Sequence, residues 1–143
     1  RYLLQSSEKP LIPLSEELAF IKAYYFLLKT RFDERLLLDI YVGNEIAQQM
    51  IPPLTLQILL ENAVKHNIIS QETPLHIVIS EVNSNKVVIS NTLQRRAQSV
   101  VSTQTGLANL AAKYQLMQQP GPEIFETQDK FSVQITLLPN QAS

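Results

Sequence analysis

The sequence predicts a two-layer α+β sandwich, with helices packed on one face of a mixed, largely antiparallel sheet. Three observations predict it. Leu18, Ile21, Tyr25, Leu28 and Phe32 recur at three- and four-residue steps, the stripe of an amphipathic helix. Leu75, Ile77 and Ile79, and later Phe131, Val133, Ile135 and Leu137, alternate with polar or smaller residues at the period of a half-buried strand. The elements follow the order helix, strand, helix, two strands, loop, helix, two strands, and such segregated runs favour helices layered on an antiparallel sheet. A chain of 143 residues is one domain in size, large enough to bury roughly 68–70% of its unfolded surface.

Taken in order, residues 1–7 read as the end of another helix and residues 9–13 as a linker. Ser15 is the predicted N-cap of the first helix, with Glu16 and Glu17 in its first turn, where acids favour the positive end of the helix dipole. That helix ends near Arg31 to Asp33, and a strand follows over 36–42. Pro52 and Pro53 suit a first helical turn and disfavour helix just before it, so a second helix starts there and runs to His66 or Asn67. Asn67 is expected as its left-handed cap. A hairpin comes next, turning at Asn83, Ser84 and Asn85 into Val87, Val88, Ile89 and Ser90. Residues 92–105 are polar and aperiodic, a candidate functional loop that Gly106 closes. Leu107, Leu110, Ala111, Tyr114 and Met117 form a third helix, stopped by Pro120-Gly121-Pro122. Two strands, 123–127 and 131–138, finish the sheet around a turn at Asp129 and Lys130.

Composition excludes several functions. A net charge of −1 gives no general attraction to nucleic acid or to an anionic membrane surface. The absence of cysteine removes disulfides, thiolate metal sites and cysteine nucleophiles. No apolar stretch reaches the length of a membrane span, and the start carries neither Met nor a signal-peptide pattern, so the chain reads as an excised piece with no direct membrane contact of its own. His66 and His76 lack paired metal-ligand spacing, and no G-x-S-x-G elbow is present. His66 is expected to cap or pack, and His76 to sit exposed or at the core edge of a strand.

The second helix carries the most unusual polar pattern. Thr55, Ile58, Asn62 and Lys65 share one stripe, so a carboxamide and an ammonium stand on one face. Such a pair suits a magnesium–nucleotide site, because Mg²⁺ takes oxygen ligands and draws only one or two from protein when phosphate supplies others. The plainer reading is an exposed Asn62 beside a Glu61–Lys65 surface pair worth about 0.3–0.5 kcal/mol. Spacing alone favours the plainer one.

A family resemblance bears on this choice. Ile51-Pro52-Pro53-Leu54 leading into Leu60-Glu61-Asn62-Ala63-Val64-Lys65-His66 resembles the N-box of LytS-type sensor histidine kinases, whose pattern is IPPLLLQPLVENAIKH. Pro13-Leu14-Ser15-Glu16-Glu17-Leu18 and Arg31-Phe32-Asp33-Glu34-Arg35-Leu36 are similar to a preceding stretch of the same family, and Thr105-Gly106-Leu107-Ala108-Asn109-Leu110 to its GIGLKNI segment.

The resemblance implies the Bergerat ATP-binding sandwich, with residues 14–143 as the kinase catalytic domain and 1–13 as the end of an upstream dimerisation or linker segment. It implies ATP and Mg²⁺ as cofactors, Asn62 as the metal ligand, and Glu61 and Lys65 as catalytic neighbours at the polar end of the nucleotide. It adds His66, Asn91, Thr105, Gly106, Leu107 and Asn109 to the nucleotide-binding set. Asn91 falls where the family places the adenine-recognising Asp, and its side-chain oxygen can accept from an adenine amine. Gly106 is expected where the lid, residues 92–105, meets a helix N-terminus that favours phosphate. Arg95 and Arg96 would touch phosphate on closure or stay solvated. The phosphate would go to a histidine outside these residues, on the phosphoacceptor domain of the same homodimeric protein. It would then pass to a response regulator of LytTR type, all on the cytoplasmic side of an inner-membrane sensor.

Asn91-Thr92-Leu93-Gln94-Arg95 has neither glycine of the family's DxGxG box, and Ser102 and Gln104 stand where glycines would precede Gly106. Left-handed backbone at such positions costs a non-glycine residue roughly 1–3 kcal/mol. That cost motivates a rival: an interaction module in two-component signalling that kept the sandwich and lost productive nucleotide binding.

Overall fold

A computed structural model describes residues 11–94 and 101–140, with residues 101–105 described as backbone only. The elements are β1 (Ile12–Pro13), α1 (Leu14–Phe32), a 3₁₀ turn (Asp33–Arg35), β2 (Leu36–Tyr41), α2 (Asn44–Ala47), β3 (Met50–Ile51), α3 (Thr55–His66), β4 (Leu75–Asn83), β5 (Lys86–Thr92), α4 (Val101–Leu116), β6 (Glu123–Glu126) and β7 (Lys130–Thr136).

The main sheet runs β2-β4-β5-β7-β6. Only β2 and β4 pair in parallel, Leu36 facing Leu75 and Tyr41 facing Ser80; the other neighbours are antiparallel. The sheet is therefore mixed and largely antiparallel, as the alternating patterns predict. One pleat face is apolar and buried: Leu36, Ile77, Ile79, Val87, Ile89, Val133 and Ile135 meet Leu14, Leu18, Ile21, Leu56, Leu60 and Tyr114 from the helices. The opposite face meets solvent, where half-exposed His76 Nε2 lies 2.7 Å from Asp39 Oδ2, the exposed position expected for this histidine.

Helix α3 lies over the strands β4 and β5, with α1 on one flank and α4 on the other. Its buried side is Leu56, Leu59, Leu60 and Ala63, the apolar set that the 3.6-residue period selects. Removing this much apolar surface from water is the largest favourable term holding the layers together.

Four expectations change. Helix α1 starts at Leu14, so Ser15 is not its cap; Pro13 holds that position with φ −63° and ψ 143° and makes no side-chain cap. The reason lies outside the helix: Pro13 is paired with Met50 across the β1–β3 ribbon, and the Leu14 N–H donates to Gln49 O at 2.7 Å. The presumed linker is thus in part a strand. Asn67 is extended (φ −120°, ψ 152°) rather than left-handed, because its side chain, not its backbone, closes the helix. Lastly, α4 starts at Val101, so the expected loop 92–105 is shorter and Gly106 stands inside a helix rather than at its N-terminus. Val101-Ser102-Thr103-Gln104-Thr105 carries no apolar period, and that is why the sequence hides this turn.

Candidate functional site

The site helix begins in an unusual way. Pro52 and Pro53 bring no N–H, and Leu54 precedes the helix in left-handed backbone, φ 70° and ψ 7°. A leucine side chain cannot accept the free amides of the first turn, and none of α3's own side chains caps it. The acceptor comes from α1. Glu17 Oε2 takes the Leu54 N–H at 2.7 Å and Oε1 the Leu56 N–H at 2.9 Å. Thr55 Oγ1 donates to Pro52 O at 2.7 Å, finishing the turn. Glu17 is buried, and burial raises its carboxyl above the usual 4.5, opposed by the two amide hydrogen bonds and by the Lys113 charge, and reinforced by Glu16. Sequence reading placed Glu17 in the dipole of its own helix, and it serves another. No local signal reveals such a pairing across the chain.

Further along, Gln57 Nε2 donates to Glu61 Oε2 at 3.1 Å, while Gln57 Oε1 is buried with no partner among the described residues. Glu61 therefore takes Gln57 rather than Lys65, and Lys65 is exposed with no ion pair among the described residues. Burial, then the Glu61 charge, raises the Tyr24 phenol above its usual value, so α1 also faces the acid end of this stripe. Gln57 was not singled out from sequence, though it stands one helical turn before Glu61 and at the Gln of the quoted N-box pattern.

Asn62 is the centre of the arrangement. Its Nδ2 is buried with no hydrogen-bond partner among the described residues, a cost of about 1–3 kcal/mol for a buried amide left unsatisfied. The covering surface is Gly106: a Cβ there would stand 2.9 Å from Ile58 Cγ2 and 3.6 Å from Asn62 Nδ2. Glycine is required by this close approach of α4 to α3, not by a phosphate-binding turn. The stripe Ile58–Asn62 read from spacing does face a common neighbour.

The C-terminal end of α3 is stitched to the segment after β5. Asn67 Nδ2 donates to Ala63 O at 2.9 Å, and Asn67 Oδ1 accepts the Gln94 N–H at 2.8 Å. Ile68 N–H donates to Gln94 O at 2.8 Å. His66 is buried at this end. Asn91, buried on β5 between Ile77 and Phe131, donates from Nδ2 to Thr92 O at 2.7 Å. Its oxygen accepts nothing among the described residues. The structure thus brings Asn62 to Gly106, and Lys65 and His66 to the end of the molecule where β5 leaves Asn91. It does not gather the remaining positions so: Leu107 packs into the core and Asn109 is exposed. The side chains of Ser102, Gln104 and Thr105, and all of Arg95 and Arg96, lie outside the described residues.

A divalent ion fits this donor set in one way. Among the described residues no three His, Asp or Glu side chains converge, so an ion here would take the Asn62 oxygen from protein and the rest from phosphate and water. No helix among the described residues is long and apolar enough to cross a membrane.

Comparison with known proteins agrees with the motifs. No family model matches the chain. Over 63 residues it is 38% identical to the sensor protein LytS of Bacillus cereus, covering 44% of this chain and 11% of that protein. Over 97 residues it is 29% identical to the sensor histidine kinase/phosphatase LytS of Staphylococcus aureus, covering 68% and 17%. The chain therefore spans less than a fifth of the length of these relatives. Among solved structures, histidine kinase ThkA in complex with response regulator TrrA superposes with a TM-score of 0.58 at 15% identity, over 92% of this chain and 42% of that one. Full-length ShkA in complex with AMPPNP gives 0.53 at 16% identity, over 92% and 32%. The fold is that of histidine kinase catalytic domains, and in sequence the chain is similar to part of LytS.

Proposed function

We propose that this chain, related to LytS in sequence and built as a kinase catalytic domain, binds Mg·ATP and presents the γ-phosphate to a histidine outside residues 1–143. The observation that carries the reading is Asn62: an amide whose Nδ2 has no hydrogen-bond partner among the described residues, held against Gly106, one turn from the exposed ammonium of Lys65.

In this reading the Asn62 oxygen is the single protein ligand to Mg²⁺, which when bound would neutralise phosphate charge. Lys65 supplies a mobile positive charge to the phosphates. Glu61, fixed by Gln57, stands at the polar end of the nucleotide, where the incoming imidazole must lose a proton. Asn91 offers its oxygen to the adenine amine, and His66 closes the floor between them. Phosphoryl transfer asks the protein for positioning and charge stabilisation rather than for a covalent intermediate. Of the α4 positions, Gly106 is the one that meets Asn62, and in this reading Thr105, Leu107 and Asn109 act through the helix that carries it.

The partners follow as part of the same proposal: a phosphoacceptor and dimerisation domain in the same protein, a homodimer, and a response regulator of LytTR type. Residues 14–143 form the catalytic unit and residues 1–13 the end of the preceding segment, on the cytoplasmic side of a membrane sensor. One observation favours the rival interaction module. With α4 starting at Val101, Gly106 is committed to helix packing and the Asn62 Nδ2 is buried beside it.

Calorimetric titration with Mg²⁺ and a non-hydrolysable ATP analogue separates them. Saturable binding that Asn62→Ala abolishes supports the kinase reading. No heat at millimolar nucleotide supports the rival.

A further inference from the structure

We infer that Glu17 is a positioning residue for the nucleotide site: it holds the start of α3 and thereby sets where the Asn62 amide lies. This rests on the nucleotide-binding reading above. A helix of this kind would ordinarily receive its cap from a Ser, Thr, Asp or Asn just before it, but that place is held by Leu54 after two prolines. The carboxylate that replaces the cap belongs to α1, is 4% exposed, and divides its two oxygens between the Leu54 and Leu56 amides. A local hydroxyl would satisfy one amide with far less desolvation. The buried acid does something the hydroxyl could not, which is to lock α1 and α3 together at the helix start.

From Leu56 to Asn62 is six residues of continuous helix, about 9 Å of rise. A helix is stiff over that length, so a shift or rotation at its first turn arrives at Asn62 undiminished. Asn62 Nδ2 has no hydrogen-bond partner among the described residues; its place depends on how α3 sits against Gly106, where clearance to Ile58 is already below van der Waals contact for any Cβ. Two constraints thus bear on the amide position beyond the core packing of α3: Gly106 beside it and Glu17 at the helix start. Glu16 on α1 and Lys113 on α4 are the charged groups felt by Glu17, and neither replaces its hydrogen bonds.

The test compares wild-type chain with Glu17→Gln and Glu17→Asp. Dissociation constants for Mg²⁺ with a non-hydrolysable ATP analogue come from calorimetry, and protection of the Leu54 and Leu56 amides from hydrogen exchange, both well below the unfolding temperature. Gln keeps the shape but sets an NH₂ against one amide, and Asp is one methylene short. We expect faster exchange at both amides and nucleotide affinity weaker by about tenfold in Gln, about 1.4 kcal/mol, with Asp between Gln and wild type. Affinity within twofold of wild type in a folded variant whose Leu56 amide has lost protection overturns the inference and leaves Glu17 a clasp for stability alone. Should the Gln variant not fold, the Asp variant decides by the same criterion. Wild-type chain that binds no nucleotide defeats the underlying functional reading, a result distinct from wild-type binding with unaltered variants.

Discussion

Glu17 accepts the backbone N–H of Leu56 at 2.9 Å although the two stand 39 positions apart in the chain. Helix caps are usually supplied within a residue or two of the helix they serve. Here the cap crosses from one helix to another, so the first and central helices share an energetic fate: loosening either end exposes a buried acid or two unsatisfied amides. Each such amide costs about 1–3 kcal/mol.

The acidity of Glu17 sets a direction for stability against pH. Desolvation raises its native carboxyl above 4.5, more than its two amide bonds lower it. The native state therefore keeps a proton that the unfolded chain releases. Stability from this group is greatest below the unfolded value and falls as pH rises through the window just above 4.5. Glu17→Gln removes that slope, so the stability advantage of wild type over the variant should shrink as pH rises above 4.5. Urea unfolding across that range checks it. An advantage that widens with pH means the amide bonds outweigh desolvation.

Gly106→Ala sets two effects against each other. Alanine in a helix interior gains up to about 1 kcal/mol over glycine, whereas forcing a methyl to 2.9 Å from Ile58 Cγ2 costs about 1–3 kcal/mol. Net destabilisation of about 1 kcal/mol is expected, with Ile58→Ala in the same chain restoring part of it. Denaturant midpoints for the two single variants and the double variant read the coupling; a stabilised single Ala variant would contradict the close approach.

Leu54 is 52% exposed and holds φ 70°, so its side chain contributes little and its backbone is strained. Leu54→Gly keeps the N–H that Glu17 accepts and removes a left-handed penalty of about 1–2 kcal/mol. A gain of about 1 kcal/mol in unfolding free energy is expected, and Leu54→Val should lose stability because β-branching worsens the strain. A loss in the glycine variant sinks the idea.

Asn67→Ala should destabilise by about 2 kcal/mol, since it leaves the Ala63 carbonyl and Gln94 amide unsatisfied in a buried place. Faster hydrogen exchange at Gln94 and Ile68, with the β4–β5 hairpin amides unchanged, would localise the loss. Uniform acceleration across the sheet would argue against it.

These residues also show what a sequence discloses and what it withholds. The stripe of α1, the apolar side of α3 and the alternation of β4 and β7 were legible because each repeats at the period of its own element. The shared face of Ile58 and Asn62 was legible for the same reason. Three features escaped because they have no local period. β1, β3 and α2 are too short to show one; Val101 to Thr105 turn as helix with polar residues; and Glu17 reaches a partner that only the folded chain supplies. Asn67 was recognised as a terminator but by the wrong chemistry, through backbone where the side chain acts. Gly106 was expected at a helix N-terminus, and it stands inside α4 where it leaves room for Ile58.

Met50 exchanges both backbone hydrogen bonds with Leu138, at 2.7 and 2.9 Å, while the strand it opens pairs with Ile12 and Pro13 on the other side. A two-residue ribbon in mid-chain therefore ties down the entry of the first helix and the exit of the last strand at once. Anyone trimming this unit for study has little latitude: a cut after Thr136 or after Pro13 would strip partners from the same short strand, and the damage would surface next door, where Pro52 leads into the helix that bears Asn62.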